Sequence, residues 1–140
     1  ALRERSARRL RPETRTVVSA GTTTAPLRFA VVNWQCRENP MAGGAEIHLH
    51  EIFGRLAAAG HEVVLLCGGW PGCPPRARLD GIEVHRVGTR QTFPFLARRY
   101  WHRHLADRGL QLLVEDINKV PLFTTTWRVP QVVGLVPHLF

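Results

Sequence analysis

Residues 27–67 read LRFAVVNWQCRENPMAGGAEIHLHEIFGRLAAAGHEVVLLC, and the order of patterns within them decides the fold. Leu27–Trp34 is a run of β-branched and aromatic residues, bounded by Pro26 before it and a polar loop after it, which predicts a buried strand. From Gly44 the period changes. Ala45, Leu49, Ile52, Phe53 and Leu56 recur at helical spacing, while His48, Glu51 and Arg55 fall on the other side. That amphipathic helix closes at Gly60, the residue type best suited to the left-handed conformation past a helix C-terminus. Glu62–Cys67 then has few polar positions, as expected of a strand covered on both faces. Strand, helix and strand in this order make a βαβ unit with parallel strands and a right-handed crossover.

Downstream the alternation continues. Gly68–Pro75 is too rich in glycine and proline for regular structure and reads as a loop. Ile82–Val87 alternates apolar and polar positions, which predicts a third strand nearer an edge. Thr92–Asp107 is a basic, aromatic helical segment closed by Gly109; Leu110–Glu115 and Val132–Val136 are the fourth and fifth strands. Between those two, Asn118–Arg128 holds Pro121 and three consecutive threonines and reads as a loop with a short helix. The fold class is therefore α/β, a Rossmann-like, mainly parallel sheet with flanking helices. Ligands of such sheets bind outside the carboxyl ends of the strands. Five segments thus matter: Trp34–Gly44, Cys67–Asp80, Gly88–Thr92, Asp116–Lys119, and Pro137 onward.

Length and composition agree with one domain: 140 residues allow one core, and 44% hydrophobic against 21% charged residues excludes a disordered or fibrous chain. No apolar run approaches the roughly 20 residues of a membrane-spanning helix. Much of the net charge of +8 lies before Pro26, in Arg3, Arg5, Arg8, Arg9, Arg11 and Arg15. Residues 1–26 lack the apolar residues for a core and read as a basic flexible tail ahead of a domain at 27–140. A secretory leader would need an apolar middle region that this segment lacks. Cys36, Cys67 and Cys73 form no paired-CxxC pattern and point to reduced thiols in a cytoplasmic protein, and neither they nor the histidines show metal-site spacing. Because the charge is concentrated in the tail and no RNA-binding signature is present, no nucleic-acid partner is expected.

Gly43-Gly44-Ala45-Glu46 ends the first loop and opens the first helix. Two readings stand side by side: an anion site at the free amides of a helix N-terminus, or a flexible turn in which Glu46 complements the dipole. The longer string Asn39-Pro40-Met41-Ala42-Gly43-Gly44-Ala45-Glu46-Ile47-His48, with Ala59-Gly60-His61-Glu62-Val63 after the helix, resembles the N-terminal domain of family 4 retaining glycosyltransferases. Asp80-Gly81-Ile82-Glu83-Val84-His85-Arg86, Asp116–Pro121 and Val136–Phe140 are similar to further segments of that group.

The resemblance implies the first half of a two-domain GT-B architecture, incomplete at its C-terminal end, in which the missing second domain holds most of a nucleotide-sugar donor. It implies transfer of a sugar, hexosyl in type, with retention, to a saccharide or lipid-linked acceptor. Beyond the donor, which is a substrate, no cofactor or metal is implied. This half alone is expected to be inactive. Gly43 and Gly44 would then sit against the donor's diphosphate and sugar. Pro137 stands where the family usually has the first His of "VHH" or "VHD", which leaves His138 as the candidate sugar contact. Asp116 and Asn118, at the end of the fourth strand, are acceptor-binding candidates or caps of the next helix. No nucleophile is required, because stabilising charge on the leaving diphosphate suffices. The alternatives are a non-catalytic Rossmann-like relic of the fold or a basic module that binds nucleic acid or a membrane surface.

In Phe93–Leu105, Phe93, Leu96, Tyr100 and Leu105 would form the buried side, leaving Arg98, Arg99, Trp101 and Arg103 outside. A basic helix with an aromatic at its border can lie on an anionic membrane surface, here the inner face. An ordinary covering helix with a solvated charged face fits the same pattern.

Overall fold

The computed structural model describes residues 25–117 and 120–136. The segment assigned to the tail up to residue 24, together with Asn118, Lys119 and residues 137–140, lies outside the described residues. At the centre is β1 (Arg28–Val32), paired in parallel with β2 (Glu62–Gly69) on one side and β5 (Leu112–Asp116) on the other. The β2 strand pairs with β4 (Ile82–Thr89), and β5 with β6 (Val132–Leu135), both in parallel. With β3 (Arg76–Leu79) beside β4, the sheet order is β3-β4-β2-β1-β5-β6. Its parallel part winds outward in both directions from β1, which makes the gap beyond the carboxyl ends of β1 and β5 the topological switch point.

Strand parity divides the core in two. Phe29, Val31, Val63, Leu65, Cys67 and Val114 face α1 (Gly44–Ala58), against Leu49 and Phe53. Ala30, Val32, Val64, Leu66 and Leu113 face the other way, against α2 (Phe93–Tyr100) and the residues that follow it. Both faces of the sheet are thus covered, which explains why β2 is apolar almost throughout. Gly60 adopts φ 100, and the amides of Gly60 and His61 close on the carbonyls of Ala57 and Leu56, ending α1 as its sequence implied.

Four expectations need correction. The segment 67–80 is not loop throughout: Arg76–Leu79 forms β3, antiparallel to β4. Asp80 and Gly81, with φ 55 and 77, make the tight turn between them, an Asp-Gly pair suited to a two-residue hairpin. Consequently β4 is not the edge strand, and its His85 and Arg86 are buried.

The third correction concerns Trp101. It is 1% exposed, donates its indole N–H to the Arg128 carbonyl at 3.0 Å, and packs against Trp127 with ring centroids 6.0 Å apart. The helix widens to a π-helical turn over Trp101–Leu105, which keeps Trp101 and Leu105 on the sheet side with Phe93 and Ala97. Trp101 cannot touch a membrane surface. Leu96, expected inside, is exposed, and Phe95 beside it is 83% exposed. Arg98, Arg99 and Arg103 are exposed as expected. Among the described residues no helix is long and apolar enough to cross a membrane.

Candidate functional site

The loop leaving β1 is held by its own buried amides. Asn33 donates through Nδ2 to the Gln35 carbonyl at 2.9 Å, and Gln35 through Nε2 to the Met41 carbonyl at 3.0 Å. Asn39 accepts the Met41 amide on Oδ1 at 2.9 Å, and its carbonyl accepts the Ala42 amide at 2.8 Å. All three side chains are nearly inaccessible. This cross-tied loop delivers Gly43 and Gly44 to the first turn of α1, at the switch point.

Neither glycine is explained by the fold around it. Gly43 has φ −129 and ψ −160, an extended conformation open to any residue, and Gly44 is not in the left-handed region. Among the described residues, a Cβ built on Gly44 would meet nothing within 4 Å, and one on Gly43 would meet only Glu46 Oε2, at 3.9 Å. Glu46 does more than complement the helix dipole: its carboxylate accepts the Gly43 amide at 2.8 Å, and the residue is 2% exposed. It closes one of the orphan donors that a helix start leaves.

Beside this turn, at the carboxyl ends of β2 and β4, lies a cavity of about 390 Å³ lined by Asn39, Met41, Gly69, Trp70, Pro71, Thr89, Arg90 and Gln91. Arg86 stands beneath it with its guanidinium 4.6 Å from the Trp70 ring centroid, within cation–π distance. Its charge is met by Glu38 at 2.7 Å, and it also donates to the Pro74 carbonyl and to Cys36 Sγ. Cys36 and Cys67 are both buried. A hydrogen bond from Cys67, helped by Arg86, holds the Cys36 thiol down at about 5 against the effect of burial. The same bond and burial push Cys67 well above its ordinary range. Full burial makes the pair part of the support under the cavity rather than an accessible nucleophile.

A larger open groove of about 510 Å³ runs along α1 past Arg37, His50, Gly54, Ala58 and Asp80. Its histidine is occupied structurally. His50 Nε2 accepts the Arg37 amide at 3.3 Å, which assigns the ring proton to Nδ1, 3.2 Å from Asp80 Oδ2. Burial lowers the pKa of His50, so the neutral ring ties the β1 loop and the β3–β4 turn to α1.

The sequence-selected residues are only partly gathered. Gly43 and Gly44 stand together at the switch point. Asp116 ends β5 on the same rim but is 5% exposed, and Asn118 and His138 lie outside the described residues. Residue-level reading of the sequence missed Trp70, Asn39, Thr89, Arg90 and Gln91. The signal was Trp70-Pro71-Gly72, a large aromatic immediately before a turn at a strand's carboxyl end. No group of three or more His, Cys, Asp or Glu is placed to hold a metal ion among the described residues. A family model described as Glycosyltransferase Family 4 matches residues 42–126, more than half of the chain. No curated protein and no solved structure matches it.

Proposed function

The chain belongs to glycosyltransferase family 4, and on that premise we propose that it is the acceptor-side half of an enzyme that transfers a sugar, hexosyl in type, from a nucleotide-sugar donor with retention. The observation that carries this reading is the glycine pair. Among the described residues nothing in the backbone conformation or the packing requires glycine at 43 or 44, so the missing side chains leave room for something that approaches from outside. Apart from the Gly43 amide, which Glu46 takes, that space is bounded by first-turn amides without intrahelical partners and by the positive end of the dipole, which suit a diphosphate.

In this mechanism the donor's diphosphate and sugar lie against Gly43 and Gly44. The amides stabilise the charge that builds on the leaving diphosphate as the sugar departs, and no side-chain nucleophile takes part. His138 is assigned to the transferred sugar, and Asp116 and Asn118 to acceptor hydroxyls. A second GT-B domain, facing this one, grips the donor's base and ribose and supplies the proximity that this half lacks. The acceptor is a saccharide or a lipid-linked saccharide. The basic face of α2 and of the π-helical turn after it, with Arg98, Arg99 and Arg103 beside exposed Phe95 and Leu96, rests the cytoplasmic enzyme on the inner membrane surface.

The test uses the complete enzyme and a panel of UDP- and GDP-hexoses, with release of nucleoside diphosphate as the readout. Gly44→Val is expected to lower turnover on the order of a hundredfold, the size of effect seen when charge-stabilising amides are blocked, while thermal unfolding changes little. Near-normal turnover in the folded variant would show that the glycines form only a turn.

A further inference from the structure

We propose that the cavity between the ends of β2 and β4 is a pyranose subsite whose floor is the indole of Trp70, and that it holds the sugar ring of the acceptor. The assignment to the acceptor rests on the transferase reading above; the saccharide site itself does not.

A pyranose ring presents an apolar face of C–H groups and an edge of hydroxyls. The lining matches both. Trp70, Met41 and Pro71 supply apolar surface, while Thr89, Arg90 and Gln91 supply donors and acceptors around it. The volume of about 390 Å³ falls within the roughly 300–1,000 Å³ typical of small-molecule sites. Among the described residues no carboxylate lines the cavity, and Arg90 does, so the chemistry favours a neutral or anionic sugar over a cationic amino sugar.

The indole is fixed before any ligand arrives. Trp70 opens a turn in which the Cys73 amide donates to the Trp70 carbonyl at 3.1 Å, and the Trp70 amide donates to Cys73 Sγ at 3.3 Å. Pro71 and Gly72, the latter at φ 82, occupy the two central positions that such a turn prefers. Arg86 backs the ring and is itself anchored by Glu38 and the Pro74 carbonyl. The strand end is closely packed against the turn: a Cβ on Gly69 would lie 2.7 Å from Cys73 Sγ and 3.0 Å from the Gly88 carbonyl oxygen. A preorganised aromatic loses little freedom on binding, which is the general advantage of such a platform. Asn39 and Met41 also belong to the tied loop that leads into Gly43, so a ring stacked on Trp70 lies next to the diphosphate space.

The experiment titrates the full chain with methyl α- and β-glycosides of glucose, galactose, mannose and glucuronic acid, and follows the tryptophan indole N–H resonances. The Trp70 signal is assigned by its loss in Trp70→Phe. At least one glycoside is expected to shift that signal, and Trp70→Leu, which keeps apolar bulk without a π face, is expected to weaken its binding on the order of tenfold. Thermal unfolding of Trp70→Leu checks that the fold persists. Absence of any shift at Trp70, or equal binding by a folded Trp70→Leu variant, overturns the proposal. Nucleoside diphosphate release by the complete wild-type enzyme separates the two readings. Release without a Trp70 shift sinks the subsite and leaves the transferase standing. A Trp70 shift without release from any donor keeps the saccharide site and removes its assignment to an acceptor.

Discussion

Replacing Trp101 by alanine distinguishes a core residue from a surface anchor, since the two roles predict opposite observables. In the structure Trp101 is 1% exposed, its indole N–H is bonded to the Arg128 carbonyl, and its ring packs on Trp127. Truncating a buried tryptophan costs about 3–5 kcal/mol, from lost transfer free energy and an incompletely collapsed cavity. That is a large part of the roughly 5–15 kcal/mol that holds a small domain together. At about 4 °C per kcal/mol for a domain of this size, Tm should fall by about 12–20 °C. Trp101→Phe keeps most of the ring but loses the hydrogen bond, and should cost about 1–2 kcal/mol. Urea unfolding followed by far-UV circular dichroism measures both. A Tm within about 3 °C of wild type for Trp101→Ala, with weakened binding to vesicles, would restore the surface reading and refute the burial argument.

Glycine substitutions should split by packing: Gly44→Ala is neutral to stabilising by up to about 1 kcal/mol, whereas Gly69→Ala should destabilise by about 1–3 kcal/mol because its Cβ has no room; thermal unfolding of both variants tests this. The Glu83 carboxyl is held at about 2, chiefly by hydrogen bonds from Arg108 and further by His85, against its ordinary 4.5. A depressed folded-state pKa contributes stability that is complete above 4.5 and lost as pH falls toward 2, here about 2–3 kcal/mol; urea midpoints between pH 2 and 6 should show this loss, and Arg108→Ala should flatten it. Binding to anionic vesicles should weaken with salt and drop when Arg98, Arg99 and Arg103 become Ser, and also in Phe95→Ser; equal binding by both variants in co-sedimentation would remove α2 from the contact.

The parallel sheet could be read from Leu27–Cys67 because burial on both faces leaves a near-continuous apolar run, and because Gly60 marks the helix end by its backbone freedom. The β3 strand could not be read in this way. Only Ala77 and Leu79 pack inward, against exposed Arg76 and Arg78, so a four-residue edge strand between prolines and the Asp80-Gly81 turn looks like loop. Polar residues inside the fold were equally silent. His85 is buried because Tyr100 and Glu83 take up its two nitrogens, and those partners are 15 and 2 residues away. Of the candidate site, Gly43 and Gly44 were legible as a local pattern. The Trp70 cavity was not, since its walls come from three loops that are adjacent only once β1, β2 and β4 lie side by side.

The widened turn at Trp101–Leu105 works as a phase corrector. Phe93, Ala97, Trp101 and Leu105 stand four residues apart, and in an α-helix each such step overshoots by about 40°, so by Leu105 an unbroken helix would have rotated about a third of a turn away from the sheet. The Ala106 amide reaches back five residues to the Trp101 carbonyl, at 2.8 Å, and that under-rotation returns the stripe to the core. In effect the segment carries one residue more than an α-helix of the same span. Deleting His102 should let the helix close at its ordinary pitch with Leu105, then eleven residues after Phe93, about 20° from its direction and still on the sheet, whereas deleting a residue from the regular turns before the bulge should swing the arginine face.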